Sequence, residues 1–189
     1  MTKRRAIFLD RDGVINANRL DHVKRWDEFV FLPGVLDALR QIAARDFLVI
    51  LATNQAAINR RLMDETALRE IHARMNAEIE RAGGCIHAIY FCPHTPEENC
   101  DCRKPRPGMY LQAAREFDLD LARSYVVGDA LRDMEPAHAI GAQPILVQTG
   151  QGCHRQDEDG CGDCPVECVV VQDLRQAVEW IFQQDRVTP

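Results

Sequence analysis

With 189 residues and 46% hydrophobic composition, the chain is long enough to bury one good core, which predicts a single domain over residues 1–189. A formal net charge of −6 argues against a nucleic-acid partner and leaves room for a local cationic site for a small anion. No run of about 18 apolar residues occurs, and Met1-Thr2-Lys3-Arg4-Arg5 leads only into Ala6-Ile7-Phe8-Leu9 before an aspartate, so neither a membrane span nor a signal peptide is read; a cytoplasmic monomer without a membrane partner is expected.

In chain order, Ala6 to Leu9 reads as a short buried strand, and Val35, Leu36, Leu39, Ile42 and Ala43 follow at helical spacing after the turn pair Pro33-Gly34. Phe47 to Ala52 is a second buried strand. Leu68, Ile71, Met75 and Ile79 mark a helix that Asp64 can cap and Gly83-Gly84 ends. Ile86 to Phe91 is a third strand, Pro107 to Phe117 a helix with proline in its first turn, Tyr125 to Val127 a fourth strand and Asp133 to Ile140 another helix. Ile145 to Val147 and Val169 to Val171 add two strands, and Leu174 to Phe182 a last helix. Short apolar strands alternating with amphipathic helices predict a doubly wound α/β fold, a parallel sheet covered on both faces, with no internal repeat.

Ligands of such sheets sit beyond the carboxyl ends of the strands, which singles out Asp10, Thr53, Cys92 and Asp129. Asp10-Arg11-Asp12-Gly13 puts two carboxylates on one tight loop; alone it reads more often as a polar turn than as a site, but its place after Ile-Phe-Leu shifts the balance towards a site. Paired carboxylates need a cation, and with water and phosphate they suit Mg²⁺. Asp10 held against magnesium and phosphate is then a nucleophile, and Asp12 an acid/base for the leaving oxygen and the attacking water. Gly128-Asp129 supplies a third strand-end acid, with Asp133 placed to orient it. Thr53-Asn54-Gln55 offers donors for phosphate oxygens, and Lys104, in Arg103-Lys104-Pro105, a cation for the transferred phosphoryl.

Seven of the eight cysteines cluster at 92–102 and 153–168, which in a cytosolic chain points to metal before disulfides. Cys92, His94, Cys100 and Cys102 form the donor set of a closed structural Zn²⁺ site that would brace the loop leading into Arg103 and Lys104. The insert with Cys153, His154, Cys161, Cys164 and Cys168 reads either as a second zinc site or as reduced surface thiols, with Cys168 also able to be core. His22, His72, His87 and His138 have no partner pattern and read as surface or helix residues, and Trp26 and Trp180 as packing.

Taken together these motifs, in this order across residues 6–148, resemble the haloacid dehalogenase-like phosphatase superfamily. The resemblance implies Asp10 as nucleophile, Asp12 as acid/base, Thr53 as phosphoryl-binding hydroxyl, Lys104 as phosphoryl-stabilising lysine, and magnesium held by the side chains of Asp10 and Asp129 and the backbone carbonyl of Asp12. Asp12 itself favours phosphate-ester hydrolysis. Phe-Leu-Asp-Arg-Asp-Gly-Val-Ile-Asn, Thr-Asn-Gln and Cys-Pro-His…Cys-Asp-Cys-Arg-Lys-Pro further resemble the D-glycero-D-manno-heptose 1,7-bisphosphate 7-phosphatases and the histidinol-phosphate phosphatases. That resemblance implies no large cap domain, a small phosphorylated metabolite as substrate, a pocket shaped by 16–26 and 92–104, and substrate contacts at Asn18, Arg19, Asp21, Asn54 and Arg103. Ala130 departs from it, since the heptose enzymes place lysine after Gly-Asp.

Overall fold

A computed structural model describes residues 3–150 and 167–187. Six parallel strands form one sheet in the order β3-β2-β1-β4-β5-β6: β1 Ala6–Leu9, β2 Leu48–Asn54, β3 Ala88–Cys92, β4 Tyr125–Gly128, β5 Gln143–Val147 and β6 Val169–Val171. Helices α1 Val35–Ala43, α2 Glu65–Arg81, α3 Gly108–Phe117, α4 Leu131–Ala139 and α5 Leu174–Val187 connect and cover the strands. The doubly wound prediction holds element by element.

Strand alternation sorts the core into two layers. Ile7, Leu9, Val49, Leu51, Val127 and Ile145 pack with Leu39 and Ile42 of α1, Ile71 and Met75 of α2, and Val178 and Ile181 of α5. Ala6, Phe8, Leu48, Ile50 and Val126 pack on the other face with Met109, Tyr110 and Ala113 of α3 and Ala137 of α4. Phe8 meets Tyr110 edge to face, ring centroids 5.1 Å apart, and truncating such a fully buried ring costs roughly 3–5 kcal/mol. Trp26 stacks on Phe29 and Trp180 packs edge-on against Tyr125, the packing roles expected of them. Asp64 caps α2 by accepting from the Ala67 N–H at 2.7 Å.

Boundaries shift where polar residues join the ladder. β2 runs on through Thr53 and Asn54, and β3 through Cys92, because Thr53 pairs with Phe91 and Asn54 with Cys92; backbone pairing satisfies these residues whatever their side chains, so apolar runs end too early. α4 begins at Leu131, two residues before the predicted start, with the Asp133 carboxylate accepting from the Ala130 N–H at its first turn.

The chain runs outward from β1 to β2 and β3, then returns to lay β4 on the other side of β1. The order therefore reverses between β1 and β4, which opens a crevice beyond their carboxyl ends. Asp10 and Asp129 stand at those two ends. Among the described residues there is no separate cap between the strands, and no helix is long and apolar enough to cross a membrane.

Candidate active site

Asp10 leaves β1 with its N–H donating to the Val127 carbonyl at 3.0 Å, and its Oδ1 accepts from the Arg11 N–H at 2.7 Å. Asp129 leaves β4 beside it. One oxygen each from Asp10, Asp129 and Asp133 lies within 4.8 Å of the others, and all three residues are buried. Against this charge stands one buried lysine. Lys104 Nζ lies 3.1 Å from Asp10 Oδ1 and 2.5 Å from Asp133 Oδ1, and donates to the Ala52 carbonyl at 2.8 Å. Burial works against its charge, but Asp10 and Asp133 outweigh it and hold its pKa above the ordinary lysine value. Burial pushes the Asp133 carboxyl up despite that lysine.

Three buried carboxylates with one ammonium leave a negative excess that a hard divalent cation would neutralise, and an all-oxygen donor set matches magnesium or calcium. The backbone makes room for the acids. Gly13 sits at φ +85°, and a Cβ there would come 2.3 Å from Asp129 Oδ2; a Cβ on Gly128 would come 2.3 Å from the Asp133 Cβ. Asp133 braces Lys104 directly, a contact across 29 residues beyond the orienting role read from its place after Asp129.

Asp12 points its carboxylate into a ring of donors. Arg11 Nη2 reaches both oxygens at 2.9 and 2.8 Å, Asn16 Nδ2 reaches Oδ1 at 2.9 Å, and Gln55 Nε2 reaches Oδ2 at 2.9 Å. Burial raises the Asp12 pKa, but the Arg11 charge and these three hydrogen-bond donors bring it below the usual carboxylate value. Thr53 is fully buried, and its hydroxyl accepts from Gln55 Nε2 at 3.0 Å. Arg11, Asn16 and Gln55 were not given these roles from sequence. Their signal was proximity, since each lies within three residues of an acid, hydroxyl or turn glycine already singled out.

His72 is a helix residue, one of the two readings given it, but it lies inside and not at the surface: it is 7% exposed, with Nε2 3.4 Å from Arg11 Nη1. Burial, with Arg11 adding to it, lowers its pKa to about 3. Between that value and an unfolded pKa near 6.5, only the unfolded chain binds the proton, so this contribution to stability is complete above pH 6.5 and declines as pH falls. Unfolding free energy from urea titration is expected to drop by about 1.4 kcal/mol between pH 7.5 and 5.5 through His72 alone, a slope that His72→Gln should remove. An unchanged slope in that variant would exclude a neutral buried imidazole.

Above the acids opens a cleft of about 180 Å³. Asp10 and Asp12 form its floor, Asn18, Arg19, Leu20 and His22 come from the loop after Asn16, Asn54, Ala56 and Arg60 from the end of β2 and beyond, Arg103 from the loop after β3, and Arg132 from α4. Of the sequence-predicted contacts, Asn18, Arg19, Asn54 and Arg103 line it. Asp21 does not; its exposed carboxylate pairs with Arg19 and Lys24, which hold its pKa well below normal. His22 lines it from within the 16–26 loop expected to shape the pocket, whereas Arg60 and Arg132 were missed as lining residues. Burial opposes the charge on Arg132, but Asp133, Asp10, Asp129 and Asp12 raise its pKa in that order of weight.

One wall of the cleft is the cysteine loop. Cys92 Sγ lies 3.5 Å from His94 Nδ1, 3.5 Å from Cys100 Sγ and 3.3 Å from Cys102 Sγ, while Cys102 Sγ lies 3.3 Å from His94 Nδ1 and 3.4 Å from Cys100 Sγ. These spacings are far beyond an S–S bond of about 2.05 Å and close to the edges of a tetrahedron around an ion about 2.0–2.3 Å from each donor. Thiolates so close need a cation, and the donors fit zinc. Beside them Arg103 Nη1 donates to the His94 carbonyl at 3.0 Å, and Asn54 exchanges two 3.1 Å hydrogen bonds with the Lys104 backbone. Cys168 is half-buried; Cys153, His154, Cys161 and Cys164, and with them the second-zinc reading, lie outside the described residues.

A 3-2-1-4-5-6 parallel sheet with aspartates beyond β1 and β4 and a lysine reaching across to them defines a haloacid dehalogenase-like hydrolase, and a HAD-hydrolase-like family model matches residues 101–177. A Bordetella bronchiseptica protein named D-glycero-beta-D-manno-heptose-1,7-bisphosphate 7-phosphatase is 43% identical over 94% of this chain and 98% of its own length; one of the same name from Neisseria meningitidis serogroup A is 39% identical over 95% of each. The crystal structure of the D,D-heptose 1,7-bisphosphate phosphatase from B. bronchiseptica, complexed with magnesium and phosphate, superposes with a TM-score of 0.87 at 42% identity over 95% of this chain and 99% of that one. The chain belongs to the family of the heptose 1,7-bisphosphate 7-phosphatases.

Proposed function

We propose that this chain removes the 7-phosphate of D-glycero-β-D-manno-heptose 1,7-bisphosphate through a phosphoaspartate on Asp10. The observation that carries the reading is the 43% identity, along nearly the whole of both chains, to a relative bearing that name. The buried Asp10, Asp129, Asp133 and Lys104 floor supports the chemistry.

An Asp10 oxygen attacks phosphorus, the bond from phosphorus to the sugar oxygen breaks, and Asp12 gives that oxygen its proton. Water then attacks the phosphoaspartate, returns a proton to Asp12 and releases orthophosphate, restoring Asp10. Arg11, Asn16 and Gln55 hold Asp12 in place and keep its proton affinity low in the free enzyme. A phosphate dianion arriving beside it opposes those donors and raises that affinity, the change a general acid needs at the start of the reaction. Lys104 stabilises charge on the transferred phosphoryl, with the Thr53 hydroxyl and Asn54 as further donors. The Asp10 and Asp129 carboxylates and the Asp12 carbonyl hold magnesium, which when bound offsets carboxylate–phosphate repulsion and polarises the phosphoryl oxygens. Cys92, His94, Cys100 and Cys102 would hold zinc, which would brace the loop and take no part in the chemistry.

Comparing kcat/KM for the heptose bisphosphate, sugar monophosphates and histidinol phosphate tests the reading. The bisphosphate is expected to lead by at least about tenfold, the worth of one charge-assisted phosphate contact. Preference for histidinol phosphate would overturn the substrate; no magnesium-dependent release from any ester would leave a zinc-braced binding protein.

A further inference from the structure

We infer that Arg132 holds the phosphate that stays on the sugar, and not the phosphoryl being transferred; the inference rests on the bisphosphate reading above. Arg132 lies in the first turn of α4, where the helix dipole disfavours a cation, yet its side chain turns into the cleft with 40% exposure. Its Nη2 is 3.8 Å from Asp129 Oδ1, and among the described residues it makes no hydrogen bond. Ala130, next to Asp129, brings no charge, so α4 delivers its cation from position 132.

Charge balance says what the guanidinium awaits. Asp10, Asp129 and Asp133 are matched by Lys104 and a divalent cation, Asp12 by Arg11, and Arg19 by Asp21. With the metal site filled, the Asp129 charge is spent on the ion, and Arg132 is left facing it without a counter-charge. Arg60 and Arg103 likewise make no close ion pair among the described residues: the first lies 3.5 Å from the His22 ring and the second donates to a carbonyl, while the exposed Glu97 carboxylate acts on both only from farther off. The loaded cleft is thus cationic at its rim. The transferred phosphoryl already has Lys104 and the metal beneath it, both at the buried floor. A half-exposed guanidinium meets instead the part of the substrate that reaches out of the cleft, and its planar fork suits a second phosphate.

Arg132→Gln and Arg132→Lys are compared with the unaltered protein by kcat/KM on the heptose 1,7-bisphosphate and on the 7-monophosphate. Calorimetric titration of the magnesium-loaded protein with heptose 1-phosphate and with orthophosphate, neither of which carries a 7-phosphate to lose, gives a readout independent of turnover. In Arg132→Gln the ratio of kcat/KM, bisphosphate over 7-monophosphate, should fall about tenfold, and the Kd for heptose 1-phosphate should rise about tenfold, more than that for orthophosphate. Arg132→Lys, which keeps charge without the fork, should fall between. Equal losses on both substrates, or a larger change for orthophosphate, would overturn the inference, as would no change at all. If the unaltered enzyme itself ignores the 1-phosphate, the bisphosphate reading falls and takes this inference with it; if it discriminates and Arg132→Gln discriminates equally, only the inference falls.

Discussion

Asp10→Asn should abolish turnover, lowering orthophosphate release from the heptose bisphosphate by at least about 10⁴-fold, the scale on which removal of a covalent nucleophile acts. The amide keeps the shape of the side chain and an acceptor for the Arg11 N–H at 2.7 Å and for Lys104 at 3.1 Å. What it loses is the electron pair that forms the bond to phosphorus. Because the site packs three buried carboxylates around one lysine, removing one negative charge relieves repulsion, and the magnesium-free variant should melt no lower than the unaltered protein. A dead enzyme of undiminished stability separates chemistry from folding. Asp12→Asn, by contrast, should cost about 10²–10⁴-fold, the usual worth of general acid–base catalysis. If Asp10→Asn kept substantial magnesium-dependent release from a reactive aryl phosphate, the phosphoaspartate would be wrong whatever the substrate.

The acids and the fold were readable for one reason: β-branched and aromatic runs mark the strands, and an aspartate just beyond such a run in a parallel sheet sits at the ligand end. The cysteine loop was readable by spacing, its four donors falling within 11 residues of sequence from Cys92 to Cys102. Residues whose roles depend on a distant partner were not. Arg11, charged and next to two acids, looks like a solvated turn residue, yet it is fully buried because Asp12 and His72 give its guanidinium partners inside. His72 is buried for the same reason, and nothing on its own helix announces it. Asp21 failed as a cleft residue in the opposite sense: Arg19 and Lys24 flank it in sequence and capture it locally. Arg60 and Arg132 enter the cleft from segments beyond β2 and β4, and only the fold brings them together.

Replacing Cys102 by serine should lower kcat about 10²-fold and remove one equivalent of zinc per chain. Residues 93–104 offer no fully buried apolar side chain; only Lys104 is buried there, and apart from the metal cluster the loop is held by polar contacts such as Asn59 to Glu98 at 2.8 and 2.9 Å. Such contacts fix position weakly in water. A zinc ion held by these four donors would supply the missing rigidity; the last of them, Cys102, stands two residues before Lys104, whose Nζ must lie within about 3 Å of both Asp10 and the phosphoryl. A displacement of about 1 Å in a catalytic group is enough for a loss of about 10²-fold. The melting temperature should fall less than activity does, because one core layer is built without this loop and the other meets it only at its margin, where Cys100 and Cys102 are partly buried. Zinc content, kcat and melting temperature measured on the same preparation decide the matter. EDTA alone does not, since it strips magnesium as well; after its removal, magnesium should restore activity only in protein that has kept its zinc. If zinc-free Cys102→Ser protein turned over within about threefold of the unaltered enzyme, Lys104 would be positioned by its 3.1 Å hydrogen bonds to Asn54 and its contact with the Ala52 carbonyl, and the metal would be a passenger.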